Sequence, residues 1–163
     1  MKYCLSGLIC GLMVLAITGC GQQEEGSAFT AETINASDLH TMFTQDMHYT
    51  DWSFWDDVDG LIEGQGPHGA LVKGFANDRV LTASGDAYPY GSLIVKENYA
   101  ADTTLAGLTV MYKVKGYDPD DGDWFWAVYG ADGSIQAEGK LGGCISCHRA
   151  RRDQDYVFLH NIK

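Results

Sequence analysis

Two cysteines and a histidine near the carboxyl end of the sequence have types and spacing that can do chemistry. Cys144 and Cys147 are three positions apart, and His148 follows directly. If this segment forms a helical turn, positions i, i+3 and i+4 share a face. Two thiols so placed can add across the two vinyl groups at one porphyrin edge, and the imidazole can reach the iron. The C-x-x-C-H pattern is that of c-type haem attachment, and it predicts a single covalent haem with His148 as axial ligand.

Three other chemistries use paired cysteines, and the rest of the sequence favours none of them. A thioredoxin-like C-x-x-C motif opens a helix within a βαβ unit, and the chain shows no pattern of that kind. A structural zinc site requires four ligands, and the sequence has no second C-x-x-C and no H-x-x-x-H motif. A disulfide between the two cysteines leaves His148 without a role. Haem attachment is therefore the favoured interpretation.

The beginning of the sequence is typical of an exported lipoprotein. An uncharged apolar run from Leu5 to Ile17 is too short to span a bilayer and is typical of a secretory signal. The run ends in the letters ITGC, which resemble the lipobox of bacterial lipoproteins, so we expect Cys20 to carry a lipid anchor. Gly21 after the cysteine favours the outer membrane, with the domain facing the periplasm. An ordinary signal peptide is the alternative.

Length and charge limit the classes of function. We expect residues 1–19 to be a removed signal peptide, residues 20–29 to be a polar tether and residues 30–163 to be one haem domain with a hydrophobic core. The net charge of −11 argues against nucleic acid and against an anionic membrane surface as partners.

The apolar patterns predict an α+β fold, in which an antiparallel sheet dominates a single domain with flanking helices. Asn35 or Ser37 can cap a helix that runs to about Met47. Apolar side chains alternate in residues 108–117, which predicts a half-buried strand, whereas residues 124–130 are apolar on both faces. Further strands are predicted at residues 70–76, 92–99 and 134–140. The haem attachment motif follows the last of them, near the carboxyl end.

From Tyr49 to Phe158 the sequence resembles the cytochrome P-460 family and its relatives, the cytochromes c′-β. The matching stretches are YTDWSFW, GPHGALVKGFAND, YPYGSLIVKENY, LTVMYKVKGYDPDDGDWFW, GKLGGCISCHRA and DYVF, in the family's order. The resemblance implies a β-rich domain, usually a homodimer, with one c-type haem per chain on its sheet. It also implies that His148 is the proximal ligand and that the distal side is open to small nitrogen-containing molecules.

The two branches of this family differ in one covalent bond. In the enzymatic branch a strand lysine bonds to a porphyrin meso carbon, and the enzyme oxidises hydroxylamine. In the c′-β branch the bond is missing, and the iron binds nitric oxide behind apolar side chains. The residue patterns do not rank the strand lysines of this chain, but the resemblance assigns the cross-link to Lys96, in the stretch LIVKENY. The alternative for Lys96 is an exposed lysine or one that pairs with a haem propionate.

The resemblance also suggests residues around the distal side. His68 corresponds to a position in the loop over the haem, where a histidine can donate a hydrogen bond to a ligand, relay a proton or ligate the iron; an ordinary surface histidine is the alternative. Glu97 should face away from Lys96, because adjacent strand residues point to opposite faces. Aromatic side chains are expected to wall the pocket, namely Phe75, Tyr112, Trp124 and Trp126. Three arginines are candidates for pairing with propionates, namely Arg149, Arg151 and Arg152.

Three functions are consistent with these residues. The first, which we favour, is binding and oxidation of hydroxylamine, with electrons passed to a partner cytochrome. Because oxidation releases protons, it requires a base, and the candidates are His68 and an acid from another loop. The second function is binding of nitric oxide without turnover, and the third is simple electron transfer, if His68 or Met111 closes the iron.

Overall fold

The computed structural model describes residues 27–55, 58 and 60–158. The predicted signal peptide, Cys20 and most of the predicted tether lie outside the described residues. Within them, six strands form a single antiparallel sheet whose spatial order follows the chain. The strands are β1 (Ile62–Glu63), β2 (Leu71–Ala76), β3 (Leu93–Tyr99), β4 (Leu105–Lys113), β5 (Trp124–Gly130) and β6 (Ile135–Gly139). The α+β architecture is therefore confirmed, and β1 is a strand that the sequence did not predict.

The helices of the described residues are short. They are α1 (Ala36–Thr41), which continues into a π-helical turn (Met42–Asp46), α2 (Asp78–Leu81) and α3 (Gly142–His148). Single 3-10 turns lie at Tyr49–Asp51, Gly66–His68 and Pro119–Asp121, and a longer 3-10 segment at Arg149–Gln154. Asn35 caps α1 by accepting a hydrogen bond from the backbone N–H of Asp38, as one of the two predicted caps. None of these described helices is long and apolar enough to cross a membrane.

One face of the sheet, here called the α1 face, packs against α1 and the π-helical turn. Leu39 and Phe43 are fully buried there, one turn apart on the same side of the helix. They meet apolar side chains from the central strands, namely Phe75, Val95, Val110 and Tyr129. The hydroxyl of Tyr129 donates to the carbonyl of Ala36, at 2.8 Å. Met47, the predicted end of this helix, is exposed because the helical segment ends at Asp46.

The opposite face of the sheet, here called the α3 face, carries the attachment motif. Ile94, Met111 and Trp126 are register partners across β3, β4 and β5. They pack with Val80 of α2 and Ile145 of α3. Since Met111 is only 6% exposed, β4 is buried on both faces, which corrects the prediction of a half-buried strand.

Candidate functional site

Helix α3 holds all three residues of the C-x-x-C-H motif. It begins at Gly142, the first residue of the double glycine before the motif, and ends at His148. Both cysteines are free thiols; Cys144 is half-buried and Cys147 is exposed. The pKa of the Cys144 thiol is raised, chiefly by burial. The two thiols are therefore available for covalent attachment, on the same short helix as the imidazole.

The ring of His148 is buried and held in one tautomer. Its Nδ1 lies 2.7 Å from the backbone carbonyl of Tyr156, and because a carbonyl only accepts, Nδ1 carries the hydrogen. The rings of Trp126 and Phe158 contact it edge-on, with centroids at 4.7 and 5.1 Å. Burial lowers the pKa of His148, which favours the neutral imidazole. Nε2 is thus left with a free lone pair, the state in which histidine binds a metal.

His148 lines an apolar cleft on the α3 face. The volume of the cleft is about 220 Å³, including its open mouth. Its walls come from the segment before β1, from β3 and β4, and from the carboxyl end, namely Phe54, Trp55, Ile94, Lys96, Met111, His148, Val157 and Phe158. Phe54 packs directly on Gly74 of β2, where an added Cβ would lie 2.5 Å from the ring. The cleft therefore combines an imidazole and an amine with walls that are otherwise apolar.

Lys96 is the amine in this cleft. It lies on β3 between its register partners Gly74 and Thr109. Among the described residues, its ammonium has no hydrogen bond or ion pair. Burial lowers the pKa of Lys96 to about 8, and the nearby Cys147 acts weakly in the opposite sense. A substantial fraction of Lys96 is therefore neutral near physiological pH, unlike an ordinary lysine.

His68 lies beside the cleft on the same face. Its Nδ1 lies 3.0 Å from the hydroxyl of Thr109, and the centroid of its ring is 6.2 Å from that of His148. Burial, with smaller effects from Lys96 and His148, lowers the pKa of His68 to about 4. His68 is therefore neutral at pH 7. It is near the cleft without forming part of its wall.

The carboxylate of Glu97 lies on the α1 face, as strand alternation predicts. It accepts hydrogen bonds from the hydroxyls of Tyr49, at 3.0 Å, and Tyr99, at 2.6 Å. Glu97 is therefore held away from the cleft. Among the described residues that line the cleft, there is no carboxylate.

Phe75 and Tyr112 do not lie in the site, which corrects the expectation that they wall the pocket. Phe75 is a register partner of Val95, one residue out of phase with Gly74 and Lys96, so it points to the α1 face. There its ring meets Tyr49 edge-on, with centroids 5.2 Å apart. Tyr112 lies on the same face, and its hydroxyl is 2.9 Å from the hydroxyl of Ser27.

The other aromatic candidates lie on the α3 face, whereas two of the basic candidates pair with other parts of the protein. Trp124 and Trp126 both lie on the α3 face, and Trp126 contacts His148. Arg149 makes a bidentate pair with Asp121, at 2.9 and 2.7 Å. Arg152 donates to the carbonyl of Asp120, at 3.3 Å. The structure thus gives Arg149 and Arg152 partners within the protein.

Sequence reasoning missed several residues of the site. Phe54 and Trp55 belong to an aromatic cluster whose position relative to the sheet has no periodic signal, and Phe158 follows the last 3-10 segment. The role of Tyr156 depends on its backbone carbonyl, which every residue type offers. The stretches YTDWSFW and DYVF, which carry part of the family resemblance, were the available signals for these residues.

The residues present fit a covalent haem in their chemistry. Two free thiols, an imidazole with a free Nε2 and a largely apolar cleft are the donors and the environment that such a group needs. The half-buried Lys96 has no partner for its ammonium within the described residues, which is costly in a protein, and a covalent bond to that amine removes the cost.

The comparisons with known proteins agree with this chemistry. The family model described as Cytochrome P460 matches residues 67–159, more than half of the chain. The matched region contains Lys96, His68 and the whole attachment motif, whereas Phe54 and Trp55 precede it. No curated protein is similar enough to this sequence to count as a match.

Proposed function

The chain belongs to the cytochrome P460 family, whose members carry haem, and on this basis we propose that it is a mono-haem c-type cytochrome that binds and oxidises hydroxylamine. Cys144 and Cys147 form the thioether bonds, and His148 is the axial ligand. The observation that carries the proposal is the buried His148, which lines an apolar cleft and whose Nδ1 is held by the carbonyl of Tyr156, so that Nε2 is the nitrogen left to bind a metal. A haem bound there supplies an iron that binds small nitrogen-containing molecules and takes electrons from them.

Lys96 is proposed to make the cross-link to the porphyrin, in which a bond from Nζ to a meso carbon replaces one N–H bond and one meso C–H bond, and the two electrons and two protons released pass to a two-electron oxidant such as a peroxide. An amine must be neutral to act as a nucleophile, and burial lowers the pKa of Lys96 to about 8. Lys96 is also the one lysine among the described residues that lines the cleft. Lys73, on the neighbouring strand, points to the other face, where its Nζ lies 5.0 Å from the centroid of the Phe75 ring.

His68 is proposed to accept hydrogen bonds from the ligand and to pass on protons. Oxidation of hydroxylamine releases protons as well as electrons, and the described wall of the cleft has no carboxylate to take them. Neutral His68 lies beside that wall on the same face, where its Nδ1 contacts the hydroxyl of Thr109 and its ring centroid is 6.2 Å from that of His148. With a pKa of about 4 His68 is a weak base, so it accepts hydrogen bonds and does not remain protonated near pH 7.

A second function, reversible binding of nitric oxide without turnover, is favoured by the apolar wall. The imidazole of His148 and the amine of Lys96 are surrounded by apolar side chains, namely Phe54, Ile94, Met111 and Phe158. An uncharged ligand is only weakly hydrated, so it loses little hydration free energy when it enters this apolar cleft. This function requires the haem but not the cross-link. Simple electron transfer requires instead that Met111 or His68 ligates the iron.

The cellular location, redox partner and oligomeric state of the protein are also proposed. We propose a lipoprotein anchored through Cys20 to the outer membrane and facing the periplasm, where c-type haem is attached. Its electrons pass to a partner cytochrome, and two copies of the chain form a homodimer.

The test compares the wild type with Lys96→Ala and Lys73→Ala, all produced by export in a host that attaches c-type haem. The measurements are intact mass, the ferrous absorption spectrum, and reduction of an added c-type cytochrome by hydroxylamine. We expect the mass of one haem and a strongly red-shifted Soret band. We expect the red shift and the turnover to be lost in Lys96→Ala and kept in Lys73→Ala, whose lysine faces away.

Other outcomes would contradict specific parts of the proposal. Colourless protein with the mass of the bare chain would contradict haem attachment. A five-coordinate high-spin spectrum without a red shift or turnover would contradict oxidation and support the binding of nitric oxide. Sharp low-spin bands would show that a protein side chain closes the iron, as in an electron carrier.

A further inference from the structure

A buried ion pair lies on the α3 face, outside the cleft. Lys113 and Asp155 are 5% and 6% exposed, and the Nζ of Lys113 donates to Oδ2 of Asp155. The same ammonium donates to the carbonyl of Gly122, at 2.9 Å, and lies over the ring of Trp124, 4.9 Å from its centroid. The pair thus joins the end of β4 to the segment that follows α3.

The backbone at Asp155 is in a conformation that non-glycine residues avoid. Asp155 and Tyr156 both have positive φ, at 49° and 69°. Two consecutive left-handed residues with a Cβ are costly and persist only where the surroundings hold them. We refer to these two residues as the left-handed turn.

Several contacts hold the left-handed turn, and most of them involve Asp155. Its carboxylate accepts from the backbone N–H of Tyr88, at 2.8 Å, besides the ammonium of Lys113. Its carbonyl accepts from the indole of Trp124, at 2.9 Å. The backbone N–H of Tyr156 donates to the carbonyl of Arg151, at 2.8 Å. The side chain and the backbone of Asp155 are therefore fixed from the sheet and from the loop before β3.

The left-handed turn presents a carbonyl to the site. The carbonyl of Tyr156, the second residue of the turn, accepts the Nδ1 hydrogen of His148 at 2.7 Å. An acceptor on this nitrogen fixes the orientation of a ligating imidazole and raises its basicity. Any movement of the turn changes that acceptor.

We propose that Lys113 and Asp155 are positioning residues for His148, because their buried ion pair holds the left-handed turn whose carbonyl orients the imidazole. This inference rests on the proposed role of His148 as axial ligand. It gives Lys113 a task distinct from that of Lys96, although both lysines lie on the same face of the sheet. Neither Lys113 nor Asp155 lines the cleft, so their effect on the iron passes through the backbone.

The test uses the haem-loaded full chain and the variants Lys113→Met, Asp155→Asn and the two combined. Removal of one partner leaves the other charge buried, so the single variants risk failure to fold, whereas the combined variant leaves no unpaired charge. Resonance Raman spectroscopy measures the iron–histidine stretch, and redox titration measures the reduction potential. We expect the stretch to shift to lower frequency and the potential to become more positive, since a looser acceptor makes the imidazole less basic.

The matched control is Lys140→Met. Lys140 pairs with Asp118 at 3.0 Å, and its side chain is 53% exposed, just before α3. This variant also removes a lysine from an ion pair, but neither residue of that pair contacts the left-handed turn in the described part of the chain. We expect the stretch and the potential to match the wild type.

The outcomes separate this inference from the proposed function. Persistence of the iron–histidine stretch in His148→Ala would overturn the role of His148. A wild-type stretch and potential retained in the folded, haem-loaded combined variant would overturn the inference and leave the role of His148 intact. A shift in the combined variant that is absent in Lys140→Met would support both.

Discussion

The contact between Phe54 and Gly74 leads to a sharp prediction for Gly74→Ala. A Cβ on residue 74 would lie 2.5 Å from Cε2 and Cζ of the Phe54 ring and 2.7 Å from Cε1, whereas ordinary van der Waals contact begins at 3.4 Å. The ring must therefore withdraw by about 1 Å, because the backbone of a paired central strand cannot do so as easily. Since Phe54 forms part of the cleft wall, the substitution changes the wall as well as the stability.

Two opposing effects set the size of the change in stability. Overpacking typically costs about 1–3 kcal/mol, while replacement of a strand glycine by alanine returns about 0.5–1 kcal/mol. The net loss therefore lies between about 0 and 2.5 kcal/mol, with a central value of about 1 kcal/mol, which lowers the melting temperature by a few degrees in a domain of this size. We also expect faster association of carbon monoxide with the ferrous protein, because the displaced ring no longer closes the wall.

The assay is a thermodynamic cycle with Phe54→Leu, whose shorter side chain lacks the ring atoms that clash. We expect the stability loss in Gly74→Ala to be smaller in the Phe54→Leu background, with a coupling of about 1 kcal/mol. Thermal unfolding measures the stability, and flash photolysis measures the association rate. Additive effects of the two substitutions would refute this reasoning.

Three further predictions concern groups around the site. Tyr49→Phe removes a donor from the buried carboxylate of Glu97 and should cost about 1–3 kcal/mol in denaturant unfolding. The loss should exceed that of Tyr112→Phe, whose hydroxyl accepts from the Ser27 hydroxyl and the Ala28 backbone N–H in part-buried, uncharged contacts; equal losses would contradict this. Asn77→Ala removes an oxygen that accepts from the N–H groups of Val80 and Leu93 and should cost at least about 1 kcal/mol, with the loss visible as faster amide exchange at Leu93. The pKa of His68 is lowered from 6.5 to about 4, so between these pH values the unfolded chain binds more protons than the folded chain. The free energy of unfolding should therefore fall from pH 6.5 to pH 4 more steeply in the wild type than in His68→Gln. Parallel pH profiles of the two proteins would contradict the burial of this ring.

The sequence predicted the sheet well because its strands have strong local signals. Alternation in residues 108–117 and the apolar run at 124–130 correspond to β4 and β5, and the Asp132-Gly133 turn joins β5 to β6. The burial of β4 on both faces was not predictable in the same way. Lys113 looks like a solvent-facing residue in the pattern, and only the distant Asp155 accounts for its position inside the protein.

Site residues that are close together in the sequence were predictable. Site residues whose role depends on which face of the sheet packs against a distant segment were not. The attachment motif lies within one helix, so its spacing was sufficient. Phe75 has the right size and hydrophobicity for a pocket wall, yet it lies one residue out of phase with Lys96. Relative phase between strands depends on register, which a single sequence does not contain. The acceptor of His148 is a backbone carbonyl, and its position results from the left-handed turn.

The order of the sheet has a consequence for how the cytochrome matures. Each strand pairs with the strand before it in the chain, so the sheet can grow hairpin by hairpin as the polypeptide is delivered, without waiting for distant segments. The thiols come after the last of these strands. Enzymes that make the proposed haem attachment would therefore meet a scaffold whose receiving surface can already have assembled, and the covalent step would then be the closing event of folding.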